Sequence, residues 1–217
     1  MGVKLLTVAV LIAWRVASVA AAPAPGALPW LHNFVPAAEA SEATPSVIAR
    51  MAQWHAADRS CSAAAYGGLA IAAEVSPAGG LETVLASFTQ GVLVLDARAT
   101  LIASAPPLGC QGSADELVAI AAGDARIGEP VIALAVTAGG HQTSATWLML
   151  YRVAGAAVVP IFTGIVEDHT GNRTRVGEVT LLPGALVVRA PSGVRTLWSY
   201  DPDERRYVPV RADGPGV

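Results

Sequence analysis

The chain has 217 residues, and 53% hydrophobic content with only 14% charged residues excludes an intrinsically disordered protein. Its 14 basic and 17 acidic residues give a net charge of −3, and the one lysine, Lys4, stands near the N-terminus. A negative chain without a basic cluster excludes nucleic acid as a partner, because such binding neutralises phosphates. It also argues against binding to anionic membrane surfaces.

Residues 1–21 have the layout of a secretory signal peptide. Lys4 is followed by the ten-residue uncharged run 5–14, and then by Arg15 and the small residues 16–22. This order is typical of a signal that is removed on export. A retained anchor, the alternative, needs about 20 apolar residues. We therefore expect a secreted or periplasmic protein that is not inserted in a membrane after cleavage. Without its leader the chain has 12 arginines against 17 acids, a net charge of −5.

A linker and one short helix are predicted to follow the signal. Residues 22–44 are rich in alanine and proline, which favours a linker. Residues 45–60 are predicted to form a helix that packs on the β-domain, with Thr44 as N-cap and Pro45 in the first turn. Apolar residues recur there at the spacing of one helical face: Val47, Ile48, Met51 and Trp54 or His55.

The two cysteines, Cys61 and Cys110, are predicted to form a disulfide, because an exported chain meets an oxidising compartment. The bridge would close a loop of about 50 residues, worth about 4 kcal/mol in the chain-entropy model. The alternative is a catalytic thiol, which needs a base nearby. We favour the disulfide because no recognised cysteine-hydrolase context surrounds any of the four histidines, His32, His55, His141 and His169.

Residues 61–211 are predicted to form a β-rich domain, with a disordered tail at 212–217. Short apolar runs alternate there with Gly, Pro, Asp and Asn, which is typical of antiparallel strands joined by turns. The fold class is therefore mainly β, as propeller-like blades, a β-sandwich or a barrel, preceded by the short helix. Two runs, 146–151 and 156–161, are apolar on both faces and are expected to be central strands. The runs lie at 66–75, 81–88, 91–96, 99–104, 116–122, 130–137, 144–153, 157–166, 174–182, 185–190, 194–200 and 205–210.

Residues 110–210 contain a series of short motifs: Asp115-Glu116-Leu117-Val118-Ala119-Ile120, Gly123-Asp124, Thr146-Trp147-Leu148-Met149-Leu150-Tyr151-Arg152, Leu197-Trp198-Ser199-Tyr200-Asp201 and Arg206-Tyr207-Val208. This series resembles the motifs of secreted bacterial proteins with FG-GAP-like or VCBS-like repeats. The resemblance implies blades of an integrin-type β-propeller. A propeller needs at least four blades of four strands, whereas twelve runs make three. Closure would then need a partner chain, or the domain is a sandwich or an open sheet.

Calcium binding is not carried over by this resemblance. In the family, alternating aspartates often follow the Gly-Asp pair and bind calcium, which takes six to eight oxygen ligands. After Gly123 this chain offers only Asp124 and Glu129 as charged ligands. We therefore expect no bound metal and no cofactor.

Glu167, Asp168 and His169 are the candidate catalytic residues, because two carboxylates and an imidazole can perform acid–base chemistry or hold a metal. The competing interpretation is an ordinary hairpin turn. Gly171 and Asn172 are turn residues, and neighbouring residues of a strand point to opposite faces. The motifs Gly-x-Ser-x-Gly, His-Glu-x-x-His and paired Cys-x-x-Cys are absent from the sequence.

Three functions remain open at the level of sequence. The favoured one is an exported, non-enzymatic binding or accessory module for a protein or carbohydrate ligand, since β-scaffolds present loops for recognition. The second is a secreted hydrolase with an unrecognised acid and histidine site. The third is a structural component of an envelope assembly, formed through a free sheet edge.

Overall fold

The structure is a computed structural model that describes the backbone of residues 41–43, and residues 68–88, 91–109, 115–140 and 142–210 in full. Every regular element in these ranges is a strand, which confirms the mainly β prediction. The predicted signal, the helix at 45–60, both cysteines and the tail lie outside the described residues. No helix in the described ranges is long and apolar enough to cross a membrane.

The described residues form fourteen strands, and the two runs expected to be central are the longest of them. The strands are β1 Ser41–Ala43, β2 Gly68–Ala73, β3 Glu82–Ser87, β4 Gly91–Leu95, β5 Leu101–Ala105, β6 Glu116–Asp124, β7 Pro130–Gly139, β8 Thr143–Ala154, β9 Ala157–Thr170, β10 Arg173–Val176, β11 Glu178–Leu182, β12 Ala185–Arg189, β13 Arg195–Asp201 and β14 Arg206–Pro209. Two departures from the predicted runs stand out. Part of the predicted linker pairs as β1, and the predicted run 174–182 is divided at Gly177 into β10 and β11.

The strands form two sheets. The larger has the order β1-β2-β3-β4-β5-β9-β8-β7-β6, with β10 added beside β9, and the smaller is the meander β11-β12-β13-β14. All neighbours are antiparallel except β5 and β9, which are parallel and meet at one residue pair, Ser104 and Ala157. Because β6 also approaches β2, the larger sheet is a nearly closed barrel.

Strands β6 and β7 are buried on both faces, which explains their continuous apolar sequence, and β8 and β9 also contribute side chains to the core on each side. One core cluster fills the barrel and includes Val84, Val92 and Ile132. A second lies between the outer face of β6–β9 and the smaller sheet, and includes Leu148 and Leu186. Since alternate residues of a strand point to opposite faces, β7 supplies side chains to both clusters, and all of its residues 131–136 are buried.

Gly177 marks the passage of the chain from the larger sheet to the smaller. Its backbone N–H donates to the carbonyl of Val166 in β9 at 2.7 Å. A Cβ atom at this position would lie 2.3 Å from the Arg189 carbonyl oxygen and 3.1 Å from that of Val166. Only glycine fits between these two carbonyls, so the close approach of the sheets depends on it.

Candidate functional site

The structure brings together two of the three predicted catalytic residues. Glu167 and His169 lie on one face of β9 near its end, and the turn at Gly171 leads into β10, as the hairpin interpretation expected. Asp168 lies between them in the strand, opposite Ala145 of β8. Strand alternation therefore directs its carboxylate to the other face.

Threonines from the neighbouring strands complete a polar network around Glu167 and His169. The hydroxyl of Thr146 lies 3.3 Å from Glu167 Oε2 and 3.2 Å from His169 Nε2. Thr174 Oγ1 lies 3.2 Å from His169 Nδ1, and Thr137 Oγ1 lies 3.0 Å from Thr146 Oγ1. The network crosses β7, β8, β9 and β10. Sequence reasoning missed the threonines, because threonine in a strand is unremarkable.

This network does not have the geometry of a nucleophilic relay. In a relay the carboxylate and the nucleophile contact opposite nitrogens of the imidazole. Here Glu167 Oε2 lies 3.4 Å from His169 Nε2, the same nitrogen that Thr146 contacts. Thr146 is also only 1% exposed, so a substrate has no access to its hydroxyl. The arrangement links four strands on the outer face of the barrel.

A cleft lies elsewhere, where three hairpin turns converge. It has a volume of about 650 Å³. The β2–β3 turn, the β6–β7 turn and the β13–β14 turn form its walls. Its lining residues are Glu74, Ser76, Pro77, Gly79, Asp124, Gly128, Glu129, Pro130 and Arg205.

Glu129 is the best-fixed carboxylate of this cleft. Arg205 Nη2 donates to Glu129 Oε2 at 2.5 Å, and the Tyr200 hydroxyl donates to Glu129 Oε1. The main effect on the pKa of Tyr200 is burial, which raises it, and the bond to Glu129 raises it further. Hydrogen bonding to Glu129 also raises the pKa of the Arg205 guanidinium. The three side chains therefore hold one another across two loops that are far apart in sequence.

Arg205 adopts a backbone conformation that side chains rarely occupy. Its φ is +50°, in the left-handed region that normally favours glycine. Such a conformation costs roughly 1–2 kcal/mol for a residue with a Cβ atom. The ion pair with Glu129, and the bond that the Arg205 carbonyl accepts from Arg152 Nε at 3.3 Å, hold the residue there. Strained positions of this kind are concentrated at binding and catalytic sites.

Internal hydrogen bonds shape the other two turns. In the β2–β3 turn, the buried Glu82 accepts from the Val75 N–H at 3.0 Å and from the Ser76 hydroxyl. In the β6–β7 turn, Asp124 Oδ1 accepts from the Arg126 N–H at 2.6 Å. Both turns are thus fixed by their own side chains, and the cleft is preformed.

The charge of the cleft is negative. Three carboxylates, from Glu74, Asp124 and Glu129, line it together with one guanidinium, from Arg205. Within the described ranges, no three His, Cys, Asp or Glu side chains are placed to hold a metal ion. The two acids singled out in the sequence, Asp124 and Glu129, do line a common cleft, but each already accepts a hydrogen bond from a protein group.

Sequence reasoning did not anticipate this cleft. The sequence identifies the turn residues of each hairpin separately. The convergence of the three turns depends on the closure of the barrel and on the position of the smaller sheet, which the sequence does not show.

Comparison of the chain with protein-family models, with curated proteins and with solved structures finds no match.

Proposed function

We propose that the chain is an exported, non-enzymatic binding module that takes a carbohydrate ligand in the three-turn cleft. The observation that supports this proposal is the fixed pair Glu129 and Arg205 within a preformed, solvent-open cleft. Each oxygen of Glu129 already accepts one hydrogen bond, but an ionised carboxylate has about four acceptor sites, so the pair still offers acceptor sites and a donor fork to adjacent hydroxyl groups of a sugar. Recognition by loops on a rigid β-scaffold suits a non-catalytic module.

The remaining cleft groups favour a ligand rich in hydrogen-bond donors. Glu74 and Asp124 add two carboxylates, so acceptors outnumber the one guanidinium. Gly79 and Gly128 have no heavy atom within 4 Å of where a Cβ would lie, which leaves the rim low and accessible. Neutral or amino sugars satisfy such a site, whereas sulfated or phosphorylated glycans would be repelled.

The proposal also draws on the resemblance to FG-GAP-like and VCBS-like repeats. The smaller sheet is a four-stranded antiparallel meander, the strand count of one propeller blade.

The proposal that the chain is exported rests on the N-terminal leader. Its test is the intact mass of the secreted product, which should lack about 20 N-terminal residues; a chain retained in the envelope and starting at Met1 would contradict it.

The hydrolase alternative has less support. Glu167 and the buried Thr146 both contact the same imidazole nitrogen, Nε2 of His169, and that geometry does not supply an activated nucleophile. The chain can be assayed for hydrolysis of a panel of substrates. Turnover that the His169→Gln variant loses would favour the hydrolase over the binding module.

Glycan-array screening of the secreted chain followed by titration calorimetry tests the binding proposal. Glu129→Gln should weaken binding of a retained neutral or amino glycan by at least tenfold. Glu178→Gln is the matched control, because Glu178 also pairs with an arginine, Arg189, at 2.7 Å, but on the smaller sheet. Equal affinities for both variants, or retention of acidic glycans alone, would refute the cleft as the binding site.

A further inference from the structure

Three leucines on the outer face of the larger sheet are buried. Leu85 is 4% exposed, Leu93 is 0% and Leu95 is 6%. They form a cluster of their own, which Ala70 of β2 and Leu101 of β5 border. Their sequence neighbours point into the barrel, so strand alternation directs the leucines outward. All five residues lie on β2 to β5, and strands of one sheet cannot bury their own face. Another segment therefore covers it.

The covered area has a definite position on the sheet. Ser87, the next outward residue after Leu85 on β3, is 1% exposed, and its hydroxyl has no hydrogen-bond partner. Thr83, the outward residue on the other side of Leu85, is exposed. Gly68, where β2 begins, pairs with Ser87. On β3 the cover therefore lies over the end of the sheet at which β2 starts and β3 finishes, and on β4 it extends to Leu95, which pairs with Thr83.

Strand β1 delivers the chain to this same end of the sheet. Its last residue, Ala43, pairs with Gly68, the first residue of β2. The 24 residues 44–67 between them lie outside the described ranges. Hairpin connections usually have two to five residues, so this connection is long enough to leave the corner, cross the face and return. The connection begins at the end of the sheet where Leu85 and Ser87 are buried.

We infer that residues 44–57 lie across the outer face of β2–β5, with Val47, Ile48 and Met51 against the leucine cluster. These apolar residues recur at helical spacing. A helix of 14 residues is about 21 Å long, and four strands span roughly 15 Å, so one such helix covers the face. The contact is apolar on both sides, so it needs no complementary charges.

Methionine methyl NMR on the full chain tests the contact directly. The chain has three methionines, Met1, Met51 and Met149. Met149 packs against the barrel cluster and serves as an internal control. The Met51 methyl should show nuclear Overhauser effects to leucine methyls, assigned to Leu85 and Leu93 through Leu→Ile variants. Effects to other leucines, or none, would overturn the inference; effects seen only between differently labelled molecules would assign the cover to a second copy instead.

A pair of charge-matched variants provides an independent test. Met51→Asp places a carboxylate against the leucines and should lower Tm by about 5 °C or more. Gln53→Asp lies on the opposite side of the same proposed helix and should change Tm by less than about 2 °C. If Met51→Asp does not fold, Met51→Ala coupled with Leu93→Ala in a double-mutant cycle replaces it. Strict additivity of those two changes, or equal effects of the two aspartates, would contradict the contact.

Discussion

At the scale of single residues, Tyr151 shows how burial sets a pH limit on the fold. The side chain is 3% exposed, and burial raises the pKa of its phenol from 10.0 to about 12. Below pH 10 both folded and unfolded chains hold the proton. Between pH 10 and about 12 the unfolded chain releases it first, so the free energy of unfolding falls with rising pH.

Tyr151→Phe is therefore expected to flatten the alkaline limb of the stability curve. Between pH 10 and about 12, Tyr151 lowers the free energy of unfolding of the parent protein by about 2–3 kcal/mol. The variant should still lose some stability at alkaline pH, because burial also raises the pKa of Tyr207. Near pH 7 the variant should be almost as stable as the parent, since the hydroxyl makes only a 3.6 Å contact with the Met149 sulfur. Urea unfolding at pH 7 to 11.5 measures both effects, and parallel curves would contradict the assignment.

Arg205 provides a second prediction at this scale. Arg205→Ala removes the ion pair with Glu129 but keeps a Cβ atom at φ +50°, whereas Arg205→Gly removes both the pair and the strain. The glycine variant should therefore be the more stable of the two by about 1 kcal/mol. Chemical denaturation decides this, and both variants should lose glycan binding equally. An alanine variant as stable as the glycine variant would show that the backbone there is relaxed.

At the scale of elements, Gly177 controls how the two sheets meet. Gly177→Ala should lower the free energy of unfolding by about 1–3 kcal/mol, because its Cβ would overlap the Arg189 carbonyl and force the chain at the junction away from the end of β12. Gly140→Ala is the control, since no atom lies within 4 Å of its Cβ position. Thermal unfolding compares the two. A smaller loss for Gly177→Ala than for Gly140→Ala would mean that the junction yields easily.

The elements also show what sequence reasoning can and cannot reach. The hairpin at Gly171 and the central strands expected at 146–151 and 156–161 were predictable, because turn chemistry and continuous apolar runs are local signals. The division of the predicted run 174–182 was not, since valine and threonine continue on both sides of Gly177 and only the partner strands separate them. The cleft was equally hidden: its Glu129 and Arg205 are 76 residues apart.

At the scale of the whole molecule, the shared core predicts cooperative unfolding. Val179, Leu186 and Tyr207 of the smaller sheet pack in one cluster with Leu148 and Phe162 of the barrel. Neither sheet can lose this cluster without exposing apolar surface of the other. Far-ultraviolet and near-ultraviolet circular dichroism should therefore give one transition with a common midpoint. Two separated transitions would show that the smaller sheet unfolds on its own.

The parallel contact between Ser104 and Ala157 has a consequence for the order in which the molecule folds. Strands β1 to β5 follow one another as neighbours, and so do β6 to β9, so each half is a meander of short-range pairings. The seam between the halves joins residues far apart in the chain through a single residue pair, and the Ser104 N–H donates there to the Ala156 carbonyl at 3.1 Å. Because loop-closure entropy is lost before such distant contacts form, the two meanders should assemble early and the seam last. The seam should then also be the first part of the barrel to exchange its amide protons with solvent, while the rest of the wall stays protected.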